Sequence, residues 1–255
     1  MIKLGIIGTT TWGTTLAIIS AREGRRSTLL ARSSKEAHLL IEDGENRRFV
    51  PGISFPEGVS VTESPDRALS DADVVIFAVP SSTLRDNARQ VARSINSRSV
   101  VISAVKGLET GTGKRMTQVL SEELAGVGAT RICALSGPNL AGEIVQGKPS
   151  STVVASVSDQ SCKKSQIALN SGRLRVYTNS DLIGVEIAGA LKNVTAIAVG
   201  ISDELGYGDN AKASLITRGL AEISRLGSSL GADKVTFSGL AGMGDLIATC
   251  SSSLS

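Results

Sequence analysis

Met1-Ile-Lys-Leu-Gly-Ile-Ile-Gly8-Thr-Thr-Thr-Trp-Gly13-Thr-Thr-Leu-Ala17 opens the chain, and its reading decides the fold. Residues 2–7 form a short apolar run of strand length. Gly8 supplies a tight turn, and a helix follows from Thr14, so a strand passes directly into a helix. The alternation continues downstream. Apolar runs recur at 28–31, 74–79, 100–105, 132–135, 152–157 and 174–177, mostly separated by segments of helical length. Asp73-Val-Val-Ile-Phe-Ala-Val79 is apolar without alternation, the pattern of a strand buried on both faces, as in parallel sheets. The expected fold is α/β, an N-terminal doubly wound sheet with right-handed crossovers. Beyond about residue 178 the segments are helical in period with no clear strand, and Ser180 or Asp181 can cap the first helix. Residues 1–180 are therefore expected to form one domain and 181–255 an all-α second domain. That second part closes on Cys250-Ser-Ser-Ser-Leu-Ser255, a serine-rich loop that reads as interrupted and incomplete.

Composition narrows the function. Of 255 residues, 41% are hydrophobic, enough for a sizeable core. The net charge is +3, the basic residues are scattered, and aromatics make up 3%, which argues against nucleic-acid partners. Cys133, Cys162 and Cys250 are odd in number and far apart, giving neither a disulfide framework nor a metal site. The N-terminus reads as a strand, not a signal peptide. No apolar run is seen to approach the ~20 residues of a membrane span, so a cytoplasmic location is expected. His38 lies in a charged helical stretch and is expected to be solvated.

The turn after the first strand stands where dinucleotide-binding folds carry their glycine fingerprint. Gly8 makes the turn and Gly13 permits close helix–strand packing. The middle position, Thr10, carries a Cβ that costs room near a pyrophosphate unless its hydroxyl takes over a phosphate contact. The second strand ends at Leu30-Ala31-Arg32-Ser-Ser34, without the carboxylate that would hold the ribose hydroxyl of NAD. Arg32 suits the 2′-phosphate of NADP better, so NADP is the expected cofactor, with NAD the alternative.

Three segments land beyond the carboxyl ends of the strands, where ligands bind in such sheets: Val79-Pro-Ser81, Ala104-Val-Lys-Gly107 and Ser136-Gly-Pro-Asn-Leu-Ala141. Lys106 should project into the crevice and attract an anion. Gly137 and Pro138 are expected to start a helix whose free amides face the same place. In the second part, Gly184-Val-Glu-Ile-Ala-Gly-Ala-Leu-Lys-Asn-Val194 places Lys192 in an apolar helix, sharing its face with Val185, Ala188, Thr195 and Ala196, none of which can pair with an ammonium. Two readings stand: a partly desolvated lysine tuned for proton transfer, or one that snorkels to the surface. Asp209 is expected to cap a helix. Asp245, ending the glycine-rich loop Gly239-Leu-Ala-Gly-Met-Gly-Asp245, can face a substrate instead.

Together these segments resemble the bacterial-type NAD(P)-dependent glycerol-3-phosphate dehydrogenases. The match runs through Gly8 with Thr11-Trp12-Gly13, Ala78-Val79-Pro80, Val105-Lys106-Gly107, Ser136-Gly-Pro-Asn139, Gly184-Val-Glu186, Ala190-Leu-Lys-Asn-Val194, Gly208-Asp-Asn-Ala-Lys-Ala213, Thr217-Arg-Gly-Leu-Ala-Glu222 and Gly239-Leu-Ala-Gly-Met-Gly-Asp-Leu-Ile247. The resemblance implies a Rossmann-like cofactor domain and reversible reduction of dihydroxyacetone phosphate to sn-glycerol 3-phosphate for phospholipid synthesis. It implies Lys192 as proton donor and base, with Lys106 beside it as an electrostatic and catalytic partner. Gly137, Asn139, Asp245 and Ser255 match the family's substrate contacts along with Lys106 and Lys192. Thr11, Trp12, Arg32, Lys106 and Ala141 match its cofactor contacts, with Gly8 and Gly13 in the turn; no metal is implied. Two departures stand out. Thr10 replaces the usual glycine, and the arginine-asparagine pair that follows the serine at 255 in the family, with its further helices, is absent from this sequence. Loss of such helices would leave apolar surface, for which a homodimer is one expected cover. Two other readings remain, an inactive NADP-binding remnant or paralogue and a related two-domain reductase of a keto or hydroxy acid.

Overall fold

The computed structural model describes residues 1–252. The apolar runs become strands β1 (Lys3–Ile7), β2 (Arg26–Leu30), β3 (Val59–Thr62), β4 (Val74–Phe77), β5 (Val100–Ser103), β6 (Ile132–Ser136), β7 (Ser150–Ala155) and β8 (Leu174–Asn179). Between them lie helices α1 (Thr11–Arg22), α2 (Ser34–Asp43), α3 (Pro65–Leu69), α4 (Leu84–Val91), α5 (Met116–Glu123), α6 (Ala141–Val145) and α7 (Asp159–Leu169). After β8 come α8 (Leu182–Glu204), α9 (Gly208–Ser229), α10 (Lys234–Phe237) and α11 (Asp245–Ser251), with a π-helical turn over Leu240–Gly244.

All eight strands form one sheet in the order β3-β2-β1-β4-β5-β6-β7-β8. Strands β4, β5 and β6 are buried along their whole length, as their unbroken apolar runs require. Large apolar clusters lie on the sheet, one including Leu4, Ile6, Leu16 and Ile76, another Ile7, Phe77, Leu84 and Met116.

Two features depart from the sequence expectation. The sheet is mostly rather than wholly parallel, because β7 runs antiparallel to β6, pairing Ala134 with Ala155 and Ser136 with Val153. The connection between them holds only the five-residue α6, too little for the long crossover that usually brings a strand back in the same direction. Strand β3 was not anticipated. Its four residues sit at the sheet edge and none is fully buried, so Val59-Ser-Val-Thr62 carries no long apolar run.

The turn between β1 and α1 depends on its glycines. Gly8 has φ +114°, and a Cβ there would lie 2.4 Å from the Ala78 carbonyl oxygen. A Cβ on Gly13 would lie 2.0 Å from the Gly8 carbonyl oxygen. Only hydrogen at both positions lets the turn, the helix and the end of β4 close on one another.

Helix α8 packs against β6, α9 and α11. The approach to β6 is close enough that a Cβ on Gly189 would stand 2.6 Å from Ser136 Oγ. Asp181, rather than Ser180, caps the helix, accepting from the Gly184 amide at 2.8 Å. Its 23 residues, with mean hydropathy 1.6 over the most apolar window, are long and apolar enough by length and composition to cross a membrane, which corrects the expectation that no such run exists. Half of that window is buried inside the protein, and the helix carries two buried charged side chains, Glu186 and Lys192. Glu186 accepts from the Thr117 amide at 2.8 Å, from Thr117 Oγ1 at 2.6 Å and from Arg115. Burial pushes the Glu186 carboxyl up, against the opposing pull of these donors.

Candidate active site

The carboxyl end of β5 carries Ala104-Val-Lys106, and the ammonium of Lys106 reaches across to the helical part. It donates to the Gly137 carbonyl at 2.9 Å and to Asp245 Oδ2 at 2.7 Å. Lys192 donates to the other oxygen, Asp245 Oδ1, at 2.8 Å, and to Thr249 Oγ1. One carboxylate, 1% exposed, thus bridges two lysines brought from different elements. The fold builds this in steps. Gly242, where a Cβ would lie 2.2 Å from the Phe237 carbonyl oxygen, lets the π-helical turn tuck under α10 and deliver Asp245 as the first residue of α11. Thr249, one turn on, lies on the same helix face and donates to the Asp245 carbonyl at 2.7 Å.

The Lys192 question raised by its helix is answered from outside that helix. Its partners stand 53 and 57 residues away, so no neighbour on its own face announces them. Burial first, and Lys192 as well, lower the pKa of Lys106 to about 8, with Asp245 opposing. An ammonium has three donors. Two on each lysine are engaged among the described residues, leaving one apiece for an incoming oxygen.

Beside Lys106 opens a cavity of about 380 Å³ lined by Thr10, Trp12, Pro80, Lys106 and Asn139. Asn139 donates to Thr152 Oγ1 at 3.1 Å, and Thr152 in turn donates to the Ser136 carbonyl at 2.9 Å. The Asn139 Oδ1 atom, on the lining of this cavity, is buried with no hydrogen-bond partner, a polar group that a ligand can satisfy, whereas the equally unpartnered Ser136 Oγ lies against Gly189 of α8. Gly137 adopts φ +136°, which no helix tolerates. The helix expected from Gly137 and Pro138 therefore starts only at Ala141, after a turn. Ala141 opens α6, which packs on α1 rather than lining this cavity. Asp209 lies in the first turn of α9 but does not cap it. Ser255 lies outside the described residues.

At the glycine turn, Thr11 and Trp12 begin α1. Its N-terminal amides receive no side-chain cap, whereas α2, α3, α7, α8 and α10 each begin with a serine or aspartate that accepts from the helix. Uncapped amides above Gly8 fit a pyrophosphate. The Thr10 hydroxyl donates to the Ala78 carbonyl at 3.2 Å, so the extra side chain is turned onto backbone. A second cavity, about 250 Å³, runs from Gly8 and Thr9 past Ala31 and Arg32 to Pro80 and Asn87.

The end of β2 corrects the sequence reading that no carboxylate stands there. Glu36, from the first turn of α2, folds back and accepts from the Arg32 amide at 2.8 Å, from Arg32 Nη2 at 2.7 Å and from Thr9 Oγ1 at 2.9 Å. Burial raises its pKa, but the hydrogen bonds from Arg32 and Thr9 outweigh this and hold the carboxyl below its usual range. Sequence reasoning also missed Thr249. Its one signal was the spacing of four from Asp245 on a helix.

Known proteins resemble this chain over its whole length. The family model for the N-terminus of NAD-dependent glycerol-3-phosphate dehydrogenase matches residues 3–162, and the model for its C-terminus matches residues 181–255. The chain is 51% identical over 256 residues to the glycerol-3-phosphate dehydrogenase (NAD(P)+) of Dehalococcoides mccartyi, covering all of this chain and 71% of that protein. It is 48% identical to the enzyme of that name from Corynebacterium glutamicum, covering all of this chain and 76% of the relative. The crystal structure of glycerol-3-phosphate dehydrogenase from Coxiella burnetii superposes with a TM-score of 0.93 at 36% identity, over 99% of this chain and 77% of that one.

Proposed function

The chain belongs to the NAD-dependent glycerol-3-phosphate dehydrogenase family, and on that premise we propose how its own residues carry the interconversion of dihydroxyacetone phosphate and sn-glycerol 3-phosphate. It is an NAD(P)-dependent oxidoreductase. The observation that carries the reading is the single buried carboxylate of Asp245 shared by Lys106 and Lys192 beside the cavity of Trp12 and Asn139.

The nicotinamide cofactor supplies or accepts the hydride when bound. Gly8, Gly13 and the free amides of Thr11 and Trp12 would hold its pyrophosphate and Arg32 its adenosine end, while Lys106 and Ala141 are assigned to the cofactor by resemblance. As hydride reaches the keto carbon, negative charge grows on the carbonyl oxygen. Lys192 gives that oxygen a proton from its remaining N–H, and in the reverse direction the neutral amine removes it. Asp245 and Thr249 fix the direction of the ammonium. Lys106 contributes positive charge to the same region, stabilising the alkoxide or the substrate phosphate. Gly137 and Asp245, both bonded to Lys106, and Asn139 in the cavity beside it are assigned to the substrate side, and Ser255 is assigned to it by resemblance alone.

NADP is the preferred cofactor on this reading, supported by Arg32 at the end of β2. Residues 1–180 serve as the cofactor unit and 181–255 as the substrate unit of a cytoplasmic enzyme. The exposed apolar stripe of α8, Val194, Ile197 and Ile201, continued by Leu205 just past its end, is where the expected homodimer would form, which sedimentation reads directly.

The test is NADPH oxidation by the purified chain with dihydroxyacetone phosphate and, in parallel, with a non-phosphorylated keto analogue. Turnover restricted to the phosphorylated substrate and absent in Lys192→Ala supports the proposal. Equal turnover of both substrates, or activity that survives Lys192→Ala, overturns it.

A further inference from the structure

The ion pair at the end of β2 presents two opposite chemistries in one place. Arg32 is well exposed and borders two cavities, the one of about 250 Å³ beside the glycine turn and another of about 300 Å³ lined by Lys35, Arg47, Arg48 and Asn46. The edge of its guanidinium formed by Nε and Nη2 lies on Glu36, at 3.2 Å and 2.7 Å from the carboxylate oxygens. That edge is one of the two forks with which arginine grips phosphate bidentately, the Nη1–Nη2 edge being the other.

Glu36 is not a loose surface partner. Its side chain is 18% exposed, and beyond the guanidinium it is fixed by the Arg32 amide and by Thr9 Oγ1, which belongs to the glycine turn itself. The carboxylate is thus tied both to the turn that would hold a pyrophosphate and to the arginine that would read the adenosine ribose. A dianionic 2′-phosphate arriving at Arg32 meets this fixed negative charge and, to take the Nε–Nη2 edge, must displace it. A 2′-hydroxyl is neutral and meets no such opposition.

Resting on the assignment of this cleft to a nicotinamide dinucleotide, we propose that Glu36 sets the choice between NAD and NADP, holding Arg32 occupied and setting a charge penalty against the 2′-phosphate. The preference for NADP that Arg32 confers is then held down by Glu36, so that NAD competes for the same cleft. Glu36→Gln keeps the side-chain length and an acceptor for the Arg32 amide but removes the charge.

Trp12 is the single tryptophan of the chain and lines the neighbouring cavity, so quenching of its fluorescence reports binding of reduced cofactor without turnover. Dissociation constants for NADPH and NADH are measured for the unaltered chain, Glu36→Gln, Arg32→Gln and the double variant. The expected result is NADPH binding tightened about ten-fold or more in Glu36→Gln, the worth of one charge-assisted contact, with NADH changed far less. In the Arg32→Gln background the same replacement should give no gain, since the effect acts through the arginine. NADPH binding that is unchanged or weaker in Glu36→Gln, or a parallel change in both cofactors as from a merely structural role, overturns the proposal while leaving the family assignment intact. Failure of the unaltered chain to bind either cofactor overturns the assignment of the cleft and the proposal with it.

Discussion

Asp245 divides its two oxygens between Lys106 and Lys192, and this arrangement makes residue-level consequences sharp. Lys192→Ala is expected to reduce kcat by about two to four orders of magnitude, the usual worth of a positioned proton donor, while cofactor affinity measured by fluorescence stays within a factor of two or three. Thr249→Val removes the hydroxyl that accepts from Lys192 and should lower kcat about ten-fold with little change in KM, because it loosens the ammonium rather than removing it. For pH, the sign follows from Lys106. Its pKa is lowered from 10.5 to about 8, so it is charged below pH 8 and neutral above. KM for dihydroxyacetone phosphate should therefore rise as pH passes upward through about 8. Initial rates from pH 6.5 to 9.5 at saturating cofactor check this, and a flat KM across the range would exclude a charge role for Lys106.

At the scale of elements, α8 approaches β6 closely. Gly189→Ala places a Cβ against Ser136 Oγ and should push the Lys192 helix outward, costing about 1–3 kcal/mol of stability and lowering kcat, as thermal unfolding and steady-state rates together would show. Elements were legible to different degrees for stated reasons. Strands β4 and β5 stood out because burial on both faces requires continuous apolar runs. Strand β3, at the edge and half-covered, needed none. The helix after Gly137 began later than expected because φ +136° at that residue is a property of the turn, which residue types alone did not reveal.

For the whole molecule, the Lys106–Asp245–Lys192 bridge is also a tie between the sheet and the helices that follow it. Asp245→Ala leaves two ammonium groups close together without their carboxylate. It should lower stability by about 3–5 kcal/mol as well as abolish turnover, read as a fall in the thermal midpoint, whereas an unchanged midpoint would mean that the lysines swing to solvent. The sequence by itself determined the alternation of strand and helix, the glycine turn, the change to helices after residue 180, and the identity of the two lysines and Asp245 as chemically suspect residues. These are local properties, written in periodicity, residue type and short motifs. Only the tertiary structure decided that Asp245 and Thr249 are the partners of Lys192, that Glu36 occupies Arg32, and that β7 runs antiparallel to β6. The first two bring together charges through folded space, one pair from segments some fifty residues apart, one from a side chain folding back over a helix turn, and the third depends on how little chain is left to return across the sheet.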